Sequence, residues 1–291
     1  MSTFPPPTVP PAGWYPDPTN GGARFFDGYA WAPTQPAFDE REAHSTLPLM
    51  ASLGALGVLV ASLLVGRVLG AVVAEFFPDV IALVVAVVCG YAPSVMWALY
   101  AMRRWGDGRP ASVGWRFRWV DLGWGPLTWL SAVASQLLVY TLVVRLFHIP
   151  LTSNVEDVKG PDVTVVYQIV TVLVAVIAAP FVEELVFRGV IMRGFLSRMG
   201  PVVAITLQGL LFGFAHSDPS RGAGNIGLAL VLSAVGITLG TSAYLTRRIG
   251  PTVCAHAIFN GVVMAILLSG ILDDADKELG HLAVLLSALP F

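Results

Sequence analysis

The stretch 178-AAPFVEELVFRGVIM-192 decides how this chain is read. It continues an apolar run that starts near residue 164, yet Glu183, Glu184 and Arg188 interrupt it. A charge at the centre of a membrane-spanning helix costs about 2.5–3.5 kcal/mol on insertion scales, so three together need partners, water or a function. Glu184 and Arg188 are four residues apart with the glutamate N-terminal, the favoured orientation for a helical ion pair. Glu183 is rotated by about 100° from Glu184, so the arginine can hold one carboxylate while the other faces elsewhere. A helix end at the membrane surface, where charges are cheap, would accommodate the same residues.

The composition places that run in a bilayer. Of 291 residues, 55% are hydrophobic and 12% charged, and mean hydropathy is +0.72. Soluble domains carry about 25% charged residues. The expected fold class is an all-α polytopic membrane protein, with spans at 47–74, 79–102, 121–144, 164–186, 201–217, 226–245 and 251–272, each near the ~20 residues a crossing needs. The tail 279-LGHLAVLLSALPF-291 is short for a full span and reads as an interfacial or partial eighth helix. A net charge of −2 gives no reason to expect a nucleic-acid partner. Cys89 and Cys254 both fall in apolar segments and read as small core residues rather than a disulfide. The first apolar run begins near Leu47, so no secretory signal is expected.

Before Leu47 the text changes. Residues 1–12 are a Pro-rich, extended lead, 13–32 a small Trp/Tyr-rich module, and 33–46 a linker to the membrane domain at 47–291. In the module, Arg24-Phe25-Phe26 and Tyr29-Ala30-Trp31 flank Asp27-Gly28, a dipeptide favoured in tight hairpin turns, so a β-hairpin-like fold is expected, with Trp14 and Tyr15 on one face. The module resembles the short Gly-Trp-Tyr-Pro-Asp-Pro … Trp unit at the cytoplasmic N-termini of many bacterial membrane proteins, and a protein partner is one expectation for it.

Charge orients the spans. Arg103, Arg104, Arg109, Arg116 and Arg118 follow the second span, Arg193 and Arg198 the fourth, Arg247 and Arg248 the sixth. The alternate connections hold Glu75 and Asp79, then Glu156, Asp157 and Asp162, then Asp273, Asp274, Asp276 and Glu278, with only Arg145, Lys159, Arg221 and Lys277 basic. The positive-inside rule puts the N-terminus and the Arg-rich connections in the cytoplasm of a multi-pass cell-membrane protein.

Two more polar clusters lie inside apolar helices. In 212-FGFAH-216, His216 is four residues from Phe212, and in 256-HAIFN-260, His256 and Asn260 share one helix face. A lone histidine in such a helix is commonly a hydrogen-bonded core residue. Two histidines, an asparagine and a glutamate pair on three helices make a constellation.

Glu183-Glu184-x-x-x-Arg188, Phe212-x-x-x-His216 and His256-x-x-x-Asn260, in that order, resemble the three signatures of the CAAX-protease and bacteriocin-processing (CPBP) intramembrane endopeptidases, relatives of the type II CAAX prenyl endopeptidases. The resemblance covers about residues 165–270, the expected peptidase core. It implies hydrolysis of a peptide bond near the membrane surface, in a peptide or membrane-associated protein. It implies Glu183 as the base that activates water, His216 as the residue sharing that water, and His256 and Asn260 as donors to the oxyanion. Glu184 and Arg188 would fix the helix. No cofactor is favoured. Zinc or another divalent metal is the alternative, with Glu183, His216 and His256 as its ligands, but no His-Glu-x-x-His helix is present.

Two other function classes use buried Glu and His. A proton-coupled transporter predicts matching repeat halves, and no internal repeat is evident. A non-enzymatic scaffold or immunity protein would need none of the polar set. One geometric demand follows from the peptidase reading. His216 lies about 22 Å along a helix from Pro201, whereas His256 is only five residues past Pro251, so the helices must be offset or tilted for both to meet Glu183.

Overall fold

The computed structural model of the protein describes residues 10–16, 23–31, 47–151, 158, 162–217, 222 and 224–269. The expected linker, the Pro-rich lead up to residue 9 and the tail at 279–291 lie outside the described residues. The chain divides into two compact units, Met1–His44 and Ser45–Phe291.

In the first unit β1 (Gly13–Pro16) pairs antiparallel with β2 (Ala23–Phe26), with Gly13 opposite Phe26 and Tyr15 opposite Arg24. Asp27-Gly28 is therefore not the turn between the two paired strands. It opens a four-residue turn that brings Trp31 back to bridge Phe26. The reason is the Asp27 side chain, whose Oδ1 accepts from the backbone N–H groups of Tyr29 at 2.7 Å and Ala30 at 2.6 Å. That capping suits a wider turn than the two-residue hairpin expected from the dipeptide. Trp31 then meets Tyr15 edge-on at 5.7 Å and Phe26 at 4.9 Å.

The second unit is all helix: α1 (Leu49–Ala74), α2 (Asp79–Arg104), α3 (Asp121–Leu146), α4 (Val165–Leu196), α5 (Pro201–Ala215), α6 (Gly224–Thr246) and α7 (Gly250–Ser269). Six are long and apolar enough to cross a membrane, and α5 is shorter. With large apolar side chains such as Leu64, Val68 and Met96 more than half exposed, the outward faces suit lipid, and this is a multi-pass membrane protein. Two spans depart from expectation. The fifth is a 15-residue helix, about 22 Å long, and cannot cross a bilayer core of ~30 Å. The fourth does not end at its charges but runs for 32 residues to Leu196. Glu183, Glu184 and Arg188 are mid-helix residues, so a helix end at the membrane surface does not explain them.

Small residues let the helices approach. Ser62 of α1 donates to Gly90 O of α2 at 2.8 Å. Thr128 and Ser242 join α3 to α6 at 2.8 Å. Helix α6 is the central element, buried along much of its length through Leu228, Val231, Leu232, Val235 and Leu239. Beside the Arg-rich end of α2, Trp97, Tyr100 and Trp105 form an aromatic cluster with ring separations of 5.4 to 6.2 Å, as expected where a helix meets the membrane–water boundary.

The connection between α2 and α3 resolves the offset that the histidines demand. It does not stay at the helix ends but enters the bundle, where Val113 is buried with Val186, Phe187 and Val190 of α4. Gly189 permits this approach, since a Cβ there would lie 2.9 Å from the Val113 carbonyl. Gly114 follows with φ +69°, a conformation that side-chain-bearing residues rarely adopt, and its carbonyl accepts from Ile249 N at 2.8 Å, next to the start of α7. Asp121, only 2% exposed, locks the same level. Its carboxylate accepts from Arg248 Nε at 2.7 Å and Nη2 at 2.6 Å, and from the Arg118 N–H at 2.8 Å. Helix α7 therefore begins level with Gly189, not with the end of α4. Glu183 lies six residues from Gly189 and His256 six residues from Gly250, so each stands about 9 Å from that shared level and the two meet.

Candidate active site

Helix α4 carries the carboxylates through unusually wide turns. The Ala179 N–H bonds to Val174 O and the Met192 N–H to Phe187 O, each five residues back, on either side of the glutamate pair. Single wide turns of this kind often accompany functional positions. Pro180 follows the first of them and has no N–H, so the Ala175 carbonyl loses its partner five residues on. Asn260 of α7 supplies the replacement, its Nδ2 donating to Ala175 O at 2.7 Å. One amide hydrogen of Asn260 thus clamps α7 to α4, leaving its second hydrogen and Oδ1 for other use.

Glu184 and Arg188 pair as their spacing suggests, Nη1 to Oε1 at 2.7 Å, with both side chains fully buried. The guanidinium also donates to Gly236 O of α6 at 3.0 Å and stands 4.4 Å over the Phe212 ring. Gln208 of α5 shares that carbonyl at 2.9 Å. Glu184 has a second partner that the spacing did not indicate, since its Oε1 also meets His256 Nδ1 at 3.0 Å. An ionised carboxylate only accepts, so Nδ1 carries the hydrogen and Nε2 is the free position of the neutral ring.

His216 caps the end of α5. Its Nδ1 lies 2.7 Å from Phe212 O, and a carbonyl likewise only accepts, so here too Nδ1 donates and Nε2 is free. Phe212 sits between both imidazoles, with ring centroids 4.6 Å from His216 and 5.8 Å from His256. The two Nε2 atoms converge on one oxygen: Glu183 Oε2 is 3.5 Å from His216 Nε2 and 4.0 Å from His256 Nε2. Glu183 is 8% exposed, and among the described residues its Oε2 and His256 Nε2 are buried without a hydrogen-bond partner. Such groups are costly to leave unsatisfied. A water molecule, with two hydrogens to give, would satisfy two of these three acceptor atoms, and the nearest pair is Glu183 Oε2 and His216 Nε2 at 3.5 Å.

The structure thus brings Glu183, Glu184, Arg188, His216 and His256 into one cluster, with Asn260 one turn beyond His256 and held by the backbone of α4. A contact invisible in the sequence adds Tyr91 of α2, whose phenol donates to Glu183 Oε1 at 2.8 Å. Among the described residues no three His, Cys, Asp or Glu side chains are grouped so as to hold a metal ion.

A carboxylate and two imidazoles enclosed by membrane helices define the class: a polytopic helical protein with a polar Glu/His cluster inside the bundle. Residues 165–262 match the family described as Type II CAAX prenyl endopeptidase Rce1-like, and this match supports the resemblance of that segment to the CPBP endopeptidases. The matched segment runs from the start of α4 through most of α7 and contains all three motifs. No curated protein and no solved structure matches the chain.

Proposed function

We propose that the protein is an intramembrane endopeptidase in which Glu183 and His216 activate water without a metal ion. The observation that carries this reading is the convergence of three helices on one carboxylate oxygen, Glu183 Oε2, with imidazole nitrogens at 3.5 and 4.0 Å. Water held there gives one hydrogen to Glu183 and the other to His216 Nε2. As its oxygen attacks the scissile carbonyl, Glu183 takes a proton, and it returns that proton to the departing amine as the C–N bond breaks.

The oxyanion needs donors. Asn260 has one amide hydrogen beyond that given to Ala175. His256 can donate from Nε2 only as an imidazolium, because Nδ1–H is committed to Glu184. The Nε2 proton is taken up from solvent before the peptide binds and stays on His256 through the cycle, so Glu184 has two tasks, pairing with Arg188 and holding the charged His256, which is electrostatic support of the kind that dominates many enzyme rates. The substrate is a peptide or a membrane-associated protein, and the Arg-rich connections face the cytoplasm of the cell membrane.

The test is reconstitution of the full chain in liposomes with a quenched peptide ending in a farnesylated Cys-a-a-X sequence. The expected result is hydrolysis that survives chelation and is lost in Glu183→Gln. Loss on chelation with stoichiometric zinc in the purified protein would overturn the metal-free mechanism. Proton flux abolished by Glu183→Gln, without cleavage, would favour a transporter.

A further inference from the structure

The mechanism above uses one oxygen of Glu183, yet nothing in a glutamate chooses which oxygen that is. Its last torsion has broad, two-fold preferences, so the carboxylate turns easily. Tyr91 touches the other oxygen. Its phenol reaches across from α2 and donates to Oε1 at 2.8 Å, while Oε2 faces His216 and His256. The contact joins residues 92 apart in sequence, and it links a helix outside the family-matched segment 165–262 to the carboxylate inside it. The half-buried Tyr91 ring is supported on an apolar helix, and its hydroxyl is the polar end that a phenylalanine would lack.

We propose that Tyr91 is a positioning residue for Glu183: its phenol pins Oε1, so that Oε2 is the oxygen presented to water and to both histidines. The kinetic consequence rests on the peptidase reading, whereas the contact itself does not. Tyr91 acts on turnover and not on substrate binding, because it touches the base and not the peptide. Removing a hydrogen bond to a charged group corresponds to about a 10- to 100-fold change in rate.

The experiment compares the full-length protein in liposomes with Tyr91→Phe and Glu183→Gln. Difference infrared spectroscopy identifies the Glu183 carboxylate bands as those missing from Glu183→Gln, and these bands are expected to shift in Tyr91→Phe. With the quenched farnesyl-Cys-a-a-X peptide as probe, Tyr91→Phe is expected to lower kcat by about 10- to 100-fold with KM unchanged and the protein still cooperatively folded. Unshifted bands overturn the proposal. So does undiminished kcat while Glu183→Gln is inactive, which leaves the peptidase reading standing. A raised KM with kcat retained would make Tyr91 a substrate contact instead. If the wild type leaves the probe uncut, the peptidase reading falls, and the infrared shift alone decides whether Tyr91 sets the orientation of Glu183.

Discussion

Replacing Arg188 with methionine should destabilise the bundle by about 3–5 kcal/mol, the usual range when one partner of a buried ion pair is removed. The guanidinium and the Glu184 carboxylate are both fully buried and 2.7 Å apart, so solvent screening does little to soften the loss. Two further contacts go with it, the Gly236 carbonyl at 3.0 Å and the Phe212 ring at 4.4 Å. The carbonyl is not orphaned, because Gln208 Nε2 still donates to it at 2.9 Å. The ring contact is of a kind worth up to about 2 kcal/mol when desolvated, but it does not add in full to a broken pair. Most of the loss therefore comes from the uncompensated charge on Glu184, and Glu184→Gln added to Arg188→Met should restore part of the stability. At about 2–4 °C per kcal/mol for a chain of this size, the single variant should melt on the order of 10 °C lower in detergent micelles. A melting point within about 2 °C of wild type, or a double variant no more stable than the single one, would refute the reasoning.

Asn260→Ala removes the donor that replaces the missing Pro180 N–H at Ala175 O, and should cost about 1–3 kcal/mol in thermal unfolding as well as activity. An Asn260→Ala protein that is inactive but fully stable would instead make Asn260 purely a substrate-side donor. In the N-terminal unit, the backbone N–H of Ala30, then that of Tyr29, hold the Asp27 carboxyl below its ordinary range. A lowered folded value means stability that is present above the unfolded value, near 3.9, and is lost as pH falls through the folded one. The Ala30 amide resonance of the full-length protein should therefore be constant from about pH 7 to 5 and move only below about pH 4. A change centred near neutrality would contradict this.

What the sequence makes legible is the part of the site that is expensive. Glu183, Glu184, Arg188, His216, His256 and Asn260 stand out because a polar group in an apolar helix needs a reason. Tyr91 costs little there, since an aromatic ring with one hydroxyl fits core or boundary alike, and its partner lies on another helix. The span boundaries mislead for a related cause. An apolar window closes within the charge cluster, which cuts the fourth span near residue 186, between Glu184 and Arg188, although the helix continues to Leu196 with that pair joined. The entry of the Val113–Gly114 segment into the bundle, which brings His256 level with Glu183, is written in an Arg- and Trp-rich connection that composition alone reads as a surface loop. The second partner of Glu184 is hidden as well, because helix spacing reports neighbours on one helix and His256 is on another.

The central claim is that Glu183 performs peptide-bond hydrolysis in the membrane. It is tested most directly by comparative membrane proteomics of cells carrying the wild-type chain and cells carrying Glu183→Ala at equal abundance. The account predicts at least one membrane-associated precursor that accumulates uncut with Glu183→Ala and is processed again when the wild-type chain is restored. Identical peptide profiles under every condition tested would contradict it.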